Sequence, residues 1–517
     1  MDNLFKTVGE NGLFQNILIY ILITGSFLVS ILALSYSFFT KMPDFLCKLK
    51  NSTTNTYQNC DYYLDNICSI SSPYDFIINK QTSLNNWVSN FNLYCEKEYY
   101  IPLLGSSYFF GAILGSIFIT PLPDKYGRQK IFNICFIILC ILYLNLTFIY
   151  NEIHLLIITF ICGIISAVYG IFNVIISEFI PKNISGIVMS FTNAIYPLLG
   201  VLLTIFFMTI NNWKIFILIL TILQFISTFL ALKYFPESPR WLITQGKKKE
   251  CLESFKQIAK CNNRMNELNK LLKENNIEEL LQSKTNSRKK EYKNINLSII
   301  EIFNFESQRK TLLILILLWF GSAFCFYGII LNLSKISNNF FMDAIYAFIG
   351  EMISEVISGY LSNIFGRVIL LEMGGYLGSI GFILYFIFYN NNYHFLKSSF
   401  MFISMFGYSS TFNVTYIYTP EILPTVIRGN VSEFLFLFSR IAPFSIPVIT
   451  SFIGKWMNAL FILMGFAYAL ACLGLKETLH DESLSEDIPE LFLIEKFLDE
   501  PLLEKEENND NILKNLE

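Results

Sequence analysis

The sequence predicts an all-α membrane protein with twelve transmembrane helices arranged as two pseudo-symmetric six-helix bundles. Three observations carry that expectation. The 517 residues are 53% hydrophobic and 15% charged, with a mean hydropathy of +0.47, which is too oily for an ordinary soluble fold of this length. Apolar runs of roughly 17 to 25 residues, long enough to cross a bilayer, recur about twelve times. Two short motifs also repeat. Asp124-Lys125-Tyr126-Gly127-Arg128 follows the second run and is echoed by Asn363-Ile364-Phe365-Gly366-Arg367 after the eighth; Glu178-Phe179-Ile180-Pro181 after the fourth is echoed by Glu421-Ile422-Leu423-Pro424 after the tenth. Such repeats describe two parallel halves with a shared site between them.

The runs are read at 14–38, 101–121, 130–150, 153–176, 186–209 and 213–235 in the first half, and at 311–333, 340–361, 367–388, 398–419, 430–453 and 455–475 in the second. This divides the chain into a first bundle (1–235), an inter-bundle loop with short helices (236–310), a second bundle (311–475) and an acidic tail (476–517). An even number of crossings puts both termini on one side. Short loops on that side carry Lys125, Arg128, Lys130, Lys182, Arg367 and Arg428, against Lys214, Lys335, Lys397 and Lys455 opposite, a bias that predicts cytoplasmic termini. The chain start lacks a basic region, short apolar core and small-residue cleavage site in sequence, so the first run reads as a retained span.

The loop at 41–100 falls on the outer side in this topology. It holds Cys47, Cys60, Cys68 and Cys95, which permit two disulfides in any of three pairings, and the sequon at Asn51 as a glycosylation candidate. Asn145-Leu146-Thr147 and Asn413-Val414-Thr415 lie inside helices, where no glycan fits. The segment at 236–310 is rich in Lys and Glu, with Lys247-Lys248-Lys249 and Arg288-Lys289-Lys290; apolar residues at helical spacing around 251–281 suggest short amphipathic helices. The tail beyond 476 is acidic and reads as disordered. The lipid bilayer is the partner this composition demands, and a net charge of -3 predicts no nucleic acid.

Local motifs identify a family. Asp124-Lys125-Tyr126-Gly127-Arg128-Gln129-Lys130 is similar to the loop signature of the major facilitator superfamily. Pro236-Glu237-Ser238-Pro239-Arg240-Trp241-Leu242 resembles a signature of the organic cation, anion and zwitterion transporters, solute carrier family 22; sugar porters carry a close relative of it. Trp319-Phe320 followed by Tyr327-Gly328, the large first outer loop and Glu477-Thr478-Leu479 also resemble that family. The resemblance implies the major facilitator fold and a secondary transporter of small organic ions; it is expected to work as a monomer, in the plasma membrane because the cysteine-bearing loop suits an oxidising exterior. An organic cation carrier or a sugar-porter-like carrier is the alternative, and a non-transporting solute sensor ranks last. Ser185 stands where the family has an arginine after the fourth helix, whereas Arg428 keeps the counterpart after the tenth.

The repeated motifs suit a gate. Arg128 and Arg367 can pair with Glu178 and Glu421 at inner helix ends, Glu237 with Arg240, and Asp124 can rest against a helix N-terminus. Gly127 and Gly366 complete the motif. Asn363 cannot supply the charge of Asp124, so the halves contribute unequally.

Ionisable residues inside spans normally face a wet cavity or a partner, because charge in hydrocarbon is costly. Glu351 and Glu355 share a face of the eighth run, and Arg440 lies in the eleventh, seven residues before Pro447. In the family, the position of Arg440 carries acid in cation carriers and Arg in anion and zwitterion carriers; Glu351 resembles the helix-eight glutamate of cation and zwitterion carriers. The resemblance therefore points to carnitine-like zwitterions, with organic anions next. Arg440 would hold a carboxylate bidentately, and Glu351 with the faces of Tyr327, Phe324 and Tyr346 would hold an ammonium. The competing reading makes Glu351 or Glu355 a structural partner that neutralises Arg440.

Other chemistry finds little support. His154, His394 and His480 are far from any cluster with zinc-like spacing, so no metal site is expected. No Gly-rich loop ends in Lys-Ser or Lys-Thr, which argues against ATP hydrolysis; no cofactor and no enzymatic activity are expected. Energy then comes from the solute gradient or from a coupled proton or sodium ion, with Glu355 as a candidate proton carrier.

Overall fold

A computed structural model describes residues 2–9, 12–50, 57–60, 62, 67–68, 72–180, 182–274, 306–337, 339–389, 393–423 and 428–478. The spanning helices of the first bundle are Leu13–Leu34 continued by Tyr36–Phe39, Tyr100–Phe118, Arg128–Thr147, Glu152–Ser166 continued by Tyr169–Phe179, Lys182–Thr209 and Trp213–Tyr234. Those of the second are Glu306–Ile336, Phe340–Phe365, Arg367–Ile387, His394–Ile422, Arg428–Ile453 and Met457–Cys472. The first-to-twelfth order matches the apolar runs. Several helices outrun them: the seventh and tenth extend at both ends with polar residues, since a helix continues past the hydrocarbon while its backbone bonds are made internally.

Nine of the described helical stretches are long and apolar enough to cross a membrane. The eighth and tenth fall outside that set because they carry Asp343, Glu351 and Glu355, and a run of Ser, Thr and Tyr, respectively. The twelfth is shorter. Polarity inside a spanning helix must be turned away from lipid, so these two helices mark where a cavity belongs.

The loop after the first span is structured, which its composition did not foretell. Three short strands form an antiparallel sheet in the order Gln58–Cys60, Phe45–Leu49, Tyr74–Ile78. Cys47 pairs with Cys60 between neighbouring strands, and Cys68 with Cys95 just before the second span, which selects one of the three pairings. Asn51 lies outside the described residues. The loop is anchored to the bundle by Trp87, stacked 4.2 Å from Phe39, and by Asn86, whose Nδ2 donates to the carbonyls of Phe38 and Lys41. Removing a native disulfide from so small a sheet costs about 2–5 kcal/mol. Cys47→Ser combined with Cys60→Ser is therefore expected to open the loop to protease added from its own side while the bundles stay protected; unchanged cleavage would show that the sheet stands without the bond.

On the opposite side, Asp2–Val8 packs with Lys248–Cys261 and Met265–Glu274. Asn262 joins them to the first span: its Nδ2 donates to the Val8 carbonyl, and its Oδ1 accepts from the Phe14 N–H, satisfying a donor that the helix itself leaves open. The segment with Arg288-Lys289-Lys290, the side chain of Arg428 and the tail from 479 onward lie outside the described residues.

The two bundles meet in the half nearest the disulfide loop. Ser37 Oγ donates to the Ile330 carbonyl at 2.5 Å and Ser106 Oγ to the Phe444 carbonyl at 3.0 Å. Rings close the rest, with Phe38 4.7 Å from Phe340 and Phe110 5.7 Å from Phe444. These contacts seal the loop side over the centre of the molecule.

Candidate functional site

Below that seal, both bundles line one cavity of about 370 Å³. The first bundle contributes Val29 and Ser30, Tyr108, Ser166 and Tyr169, Asn193 and Tyr196; the second contributes Phe326 and Tyr327, Glu351 and Glu355, Phe412, Asn413, Tyr416 and Ile417, and Ser439 with Arg440. Local structure explains one of these placements. The fourth span is interrupted at Ala167 and Val168, whose N–H groups bond three residues back, and the tightened turn re-aims the chain so that Tyr169 lines the cavity.

Arg440, Glu351, Glu355 and Tyr327 thus come together. Arg440 makes no ion pair with any described residue. Its guanidinium carbon lies 4.7 Å from the centre of the Phe436 ring, and its Nε is buried without a hydrogen-bond partner. Glu351 is 1% exposed, and its Oε2 likewise lacks a partner, as does Ser354 Oγ. The reading in which a glutamate neutralises Arg440 is therefore not the arrangement found. Buried polar atoms are normally satisfied, and here a donor nitrogen and an acceptor oxygen without partners among the described residues belong to side chains that line one cavity.

Two expectations are corrected. Phe324 does not line the cavity: it stacks on Phe320 at 5.7 Å and packs against Phe461 of the twelfth helix, because the helical turn puts Phe326 and Tyr327 on the cavity face instead. Tyr346 does not line it either. It lies five residues before Glu351, a rotation of about 140° on the helix, and its ring sits 5.9 Å from Phe395. The tyrosines and asparagines of the fourth, fifth and tenth helices were missed, since a neutral residue in an apolar run has no sequence signal that separates cavity from core. Asn413 had a reason of its own, noticed only as an unusable sequon; its Nδ2 donates to Ser358 Oγ at 2.8 Å.

The repeated motifs build two matching clusters on the side opposite the disulfide loop. In the first bundle, Arg128 Nη2 lies 2.6 Å from Asp124 Oδ1 and Nε 3.2 Å from Glu178 Oε1, with Nη1 donating to the Pro123 carbonyl. In the second, Arg367 donates to both oxygens of Glu421 at 3.1 and 3.2 Å, and its Nη1 reaches the Ser362 carbonyl and Asn363 Oδ1. Asn363 supplies a hydrogen bond where Asp124 supplies charge. Each cluster lies within one bundle, so these pairs brace a bundle instead of bridging the two.

Asp124 lies in the first turn of the short helix Leu122–Tyr126, and the N-terminus of the third span receives Glu237. Its Oε1 accepts from the N–H groups of Arg128 and Gln129 at 2.8 and 3.2 Å, where the macrodipole favours an anion. Glu477 does the same for Arg367 and Val368 at 2.9 and 3.0 Å. The guanidinium of Arg240 lies 5.5 Å from the Phe5 ring centre. Glu477 was overlooked, although it follows Glu237 by 240 residues where Gly366 follows Gly127 by 239. Gly127 and Gly366 have φ of +106° and +100°, and a Cβ at either would collide with the carboxylate of Glu237 or Glu477. Only glycine meets both requirements.

Comparison with known proteins agrees with this geometry. A family model described as Major Facilitator Superfamily matches residues 83–444. Organic cation transporter 1 of Caenorhabditis elegans is 27% identical over 383 residues, covering 71% of this chain and 62% of that protein. Organic cation/carnitine transporter 2 of Homo sapiens is 25% identical over 353 residues, 67% of this chain and 60% of the relative. Organic anion transporter 3 of Oryctolagus cuniculus is 25% identical over 432 residues, 81% and 77%. The chain thus spans less than two thirds of the length of the first two of these. Among solved structures, the inward open conformation of the xylose transporter XylE from E. coli superposes with a TM-score of 0.63 at 15% identity, covering 91% of this chain and 98% of that one. At that identity the likeness speaks for the fold.

Proposed function

The chain belongs to the major facilitator superfamily, and on that premise we propose that it is a secondary transporter of small organic ions, preferring zwitterions and organic anions, that works by alternating access. The observation that carries this reading is the pair of unsatisfied groups at one cavity: Arg440 without an ion-pair partner among the described residues and Glu351 with an unpartnered oxygen. A guanidinium presents a planar fork to a carboxylate. An ammonium on the same solute would sit against Glu351 and the ring faces of Tyr327 and its aromatic neighbours. The relatives named for organic cations, organic anions and carnitine bracket this range of charge.

Alternating access needs rigid halves that rock about the solute. The intra-bundle braces at Arg128 and Arg367 suit that demand, and the contacts on the loop side describe a state closed there. We take the termini as cytoplasmic, the plasma membrane as the location and the monomer as the working unit, with residues 1–235 and 311–475 as the moving bundles. The test is uptake of carnitine, a dicarboxylate and tetraethylammonium in one expression system. Carnitine is expected to lead and tetraethylammonium to trail. A carrier in which tetraethylammonium dominates would favour the organic-cation reading, which the second acid Glu355 supports.

A further inference from the structure

The cavity is lined by more acidic than basic side chains. Glu351 and Glu355 sit one helical turn apart on the lining face of the eighth helix, and Arg440 lines the same space from the eleventh. Among the described residues neither carboxylate is paired with that guanidinium. The other titratable groups at the cavity are the phenols of Tyr108, Tyr169, Tyr196, Tyr327 and Tyr416, from the second, fourth, fifth, seventh and tenth helices, and phenols are neutral near pH 7. The ninth helix contributes no lining residue.

An uncompensated charge inside a membrane protein is costly, and two carboxyls one helical turn apart on one face, the first of them buried, oppose each other's ionisation, so they titrate as a pair. We propose that Glu351 and Glu355 together form a proton-binding site that holds one exchangeable proton when the cavity is empty and adjusts its occupancy to the charge of the solute. This rests on the reading of the cavity as the solute site.

With one proton on the pair, the remaining negative charge balances Arg440. A zwitterion adds no net charge, so the proton stays and the solute crosses alone. A monocation replaces the proton, which leaves to the water on the side from which the solute entered; cation then exchanges for proton. A monoanion draws a second proton onto the pair, and the two cross together. Each loaded state is neutral, so no crossing works against the membrane potential, which acts at about 2.3 kcal/mol per charge for each 100 mV. The same account gives a use to Glu351 Oε2, the buried oxygen without a partner: it carries the shared proton or meets the ammonium.

The experiment combines infrared absorption with flux on the full-length protein reconstituted in lipid. At neutral pH the wild type is expected to show a protonated-carboxyl band that is lost in Glu355→Gln and, as a second variant, in Glu351→Gln, and enlarged in Arg440→Ala, where the balancing charge is gone. In proteoliposomes with an entrapped pH dye, carnitine is expected to move no protons, tetraethylammonium one in the opposite direction, and benzenesulfonate one in the same direction. A wild-type band that persists in both glutamine variants, or carnitine flux that moves one proton per solute, would overturn the site. Loss of the band in Glu355→Gln without any carnitine uptake would support the proton site and defeat the cargo reading, so the two failures are distinct.

Discussion

Arg440→Ala is expected to lower carnitine uptake at limiting concentration by about a hundredfold, the factor that follows when a desolvated charged partner worth roughly 2–5 kcal/mol is removed. Arg440→Lys keeps the charge but loses the fork, and about a tenfold loss is expected, since a point ammonium cannot reproduce two parallel bonds. Folding should be spared. Arg440 makes no ion pair with a described carboxylate, and on truncation a second proton on the Glu351 and Glu355 pair removes the charge it balances, so the purified variant should melt close to the wild type. Initial uptake rates and detergent melting curves, measured on the same preparations, decide the matter. A large drop in melting temperature that Glu351→Gln restores would identify Arg440 as a structural partner after all and remove the argument for doubly charged cargo.

Gly366→Ala is expected to have the largest effect on assembly. The position has φ +100°, where an L side chain is strained by roughly 1–3 kcal/mol. Its Cβ would also displace the Glu477 carboxylate from the helix N-terminus and loosen the bonds to Arg367 and Val368, which at about 1.5–3 kcal/mol each are among the stronger kinds. Together these costs approach the stability of a typical domain, about 5–15 kcal/mol. Yield of monodisperse protein should collapse, and Gly127→Ala should behave alike through Glu237. Glu477→Gln keeps an acceptor and the glycine geometry, so its loss should be clearly smaller. If Gly366→Ala were recovered at wild-type yield and melting temperature, the close approach of glycine and carboxylate would not matter to the fold.

The two residue sets differ in how far they could be read from the chain. The braces were legible because they are written twice: Arg128 and Arg367 recur with Glu178 and Glu421 in the same frame, and duplication turns a weak motif into a strong one. Their partners were less so. Glu237 was assigned to Arg240, yet its carboxylate caps the third span, because which donor a carboxylate meets depends on how the loop after the sixth helix folds back. The loop at 41–100 showed its four cysteines but not the sheet that pairs Cys47 with Cys60, since strand register is set by contacts between segments.

By itself, the sequence determined the number and order of the spans, the division into two related halves, and the presence of both signs of charge within them, because the bilayer penalises polar groups so heavily that each apolar run and each buried charge stands out against its neighbours. Only the tertiary structure decided which uncharged residues line the cavity, that Phe324 and Tyr346 do not, and that Arg440 and Glu351 line one space without pairing with each other. Those outcomes depend on helix rotation and on packing between bundles. Such choices are made by the summed contacts of distant residues, and they leave no periodic trace along the chain.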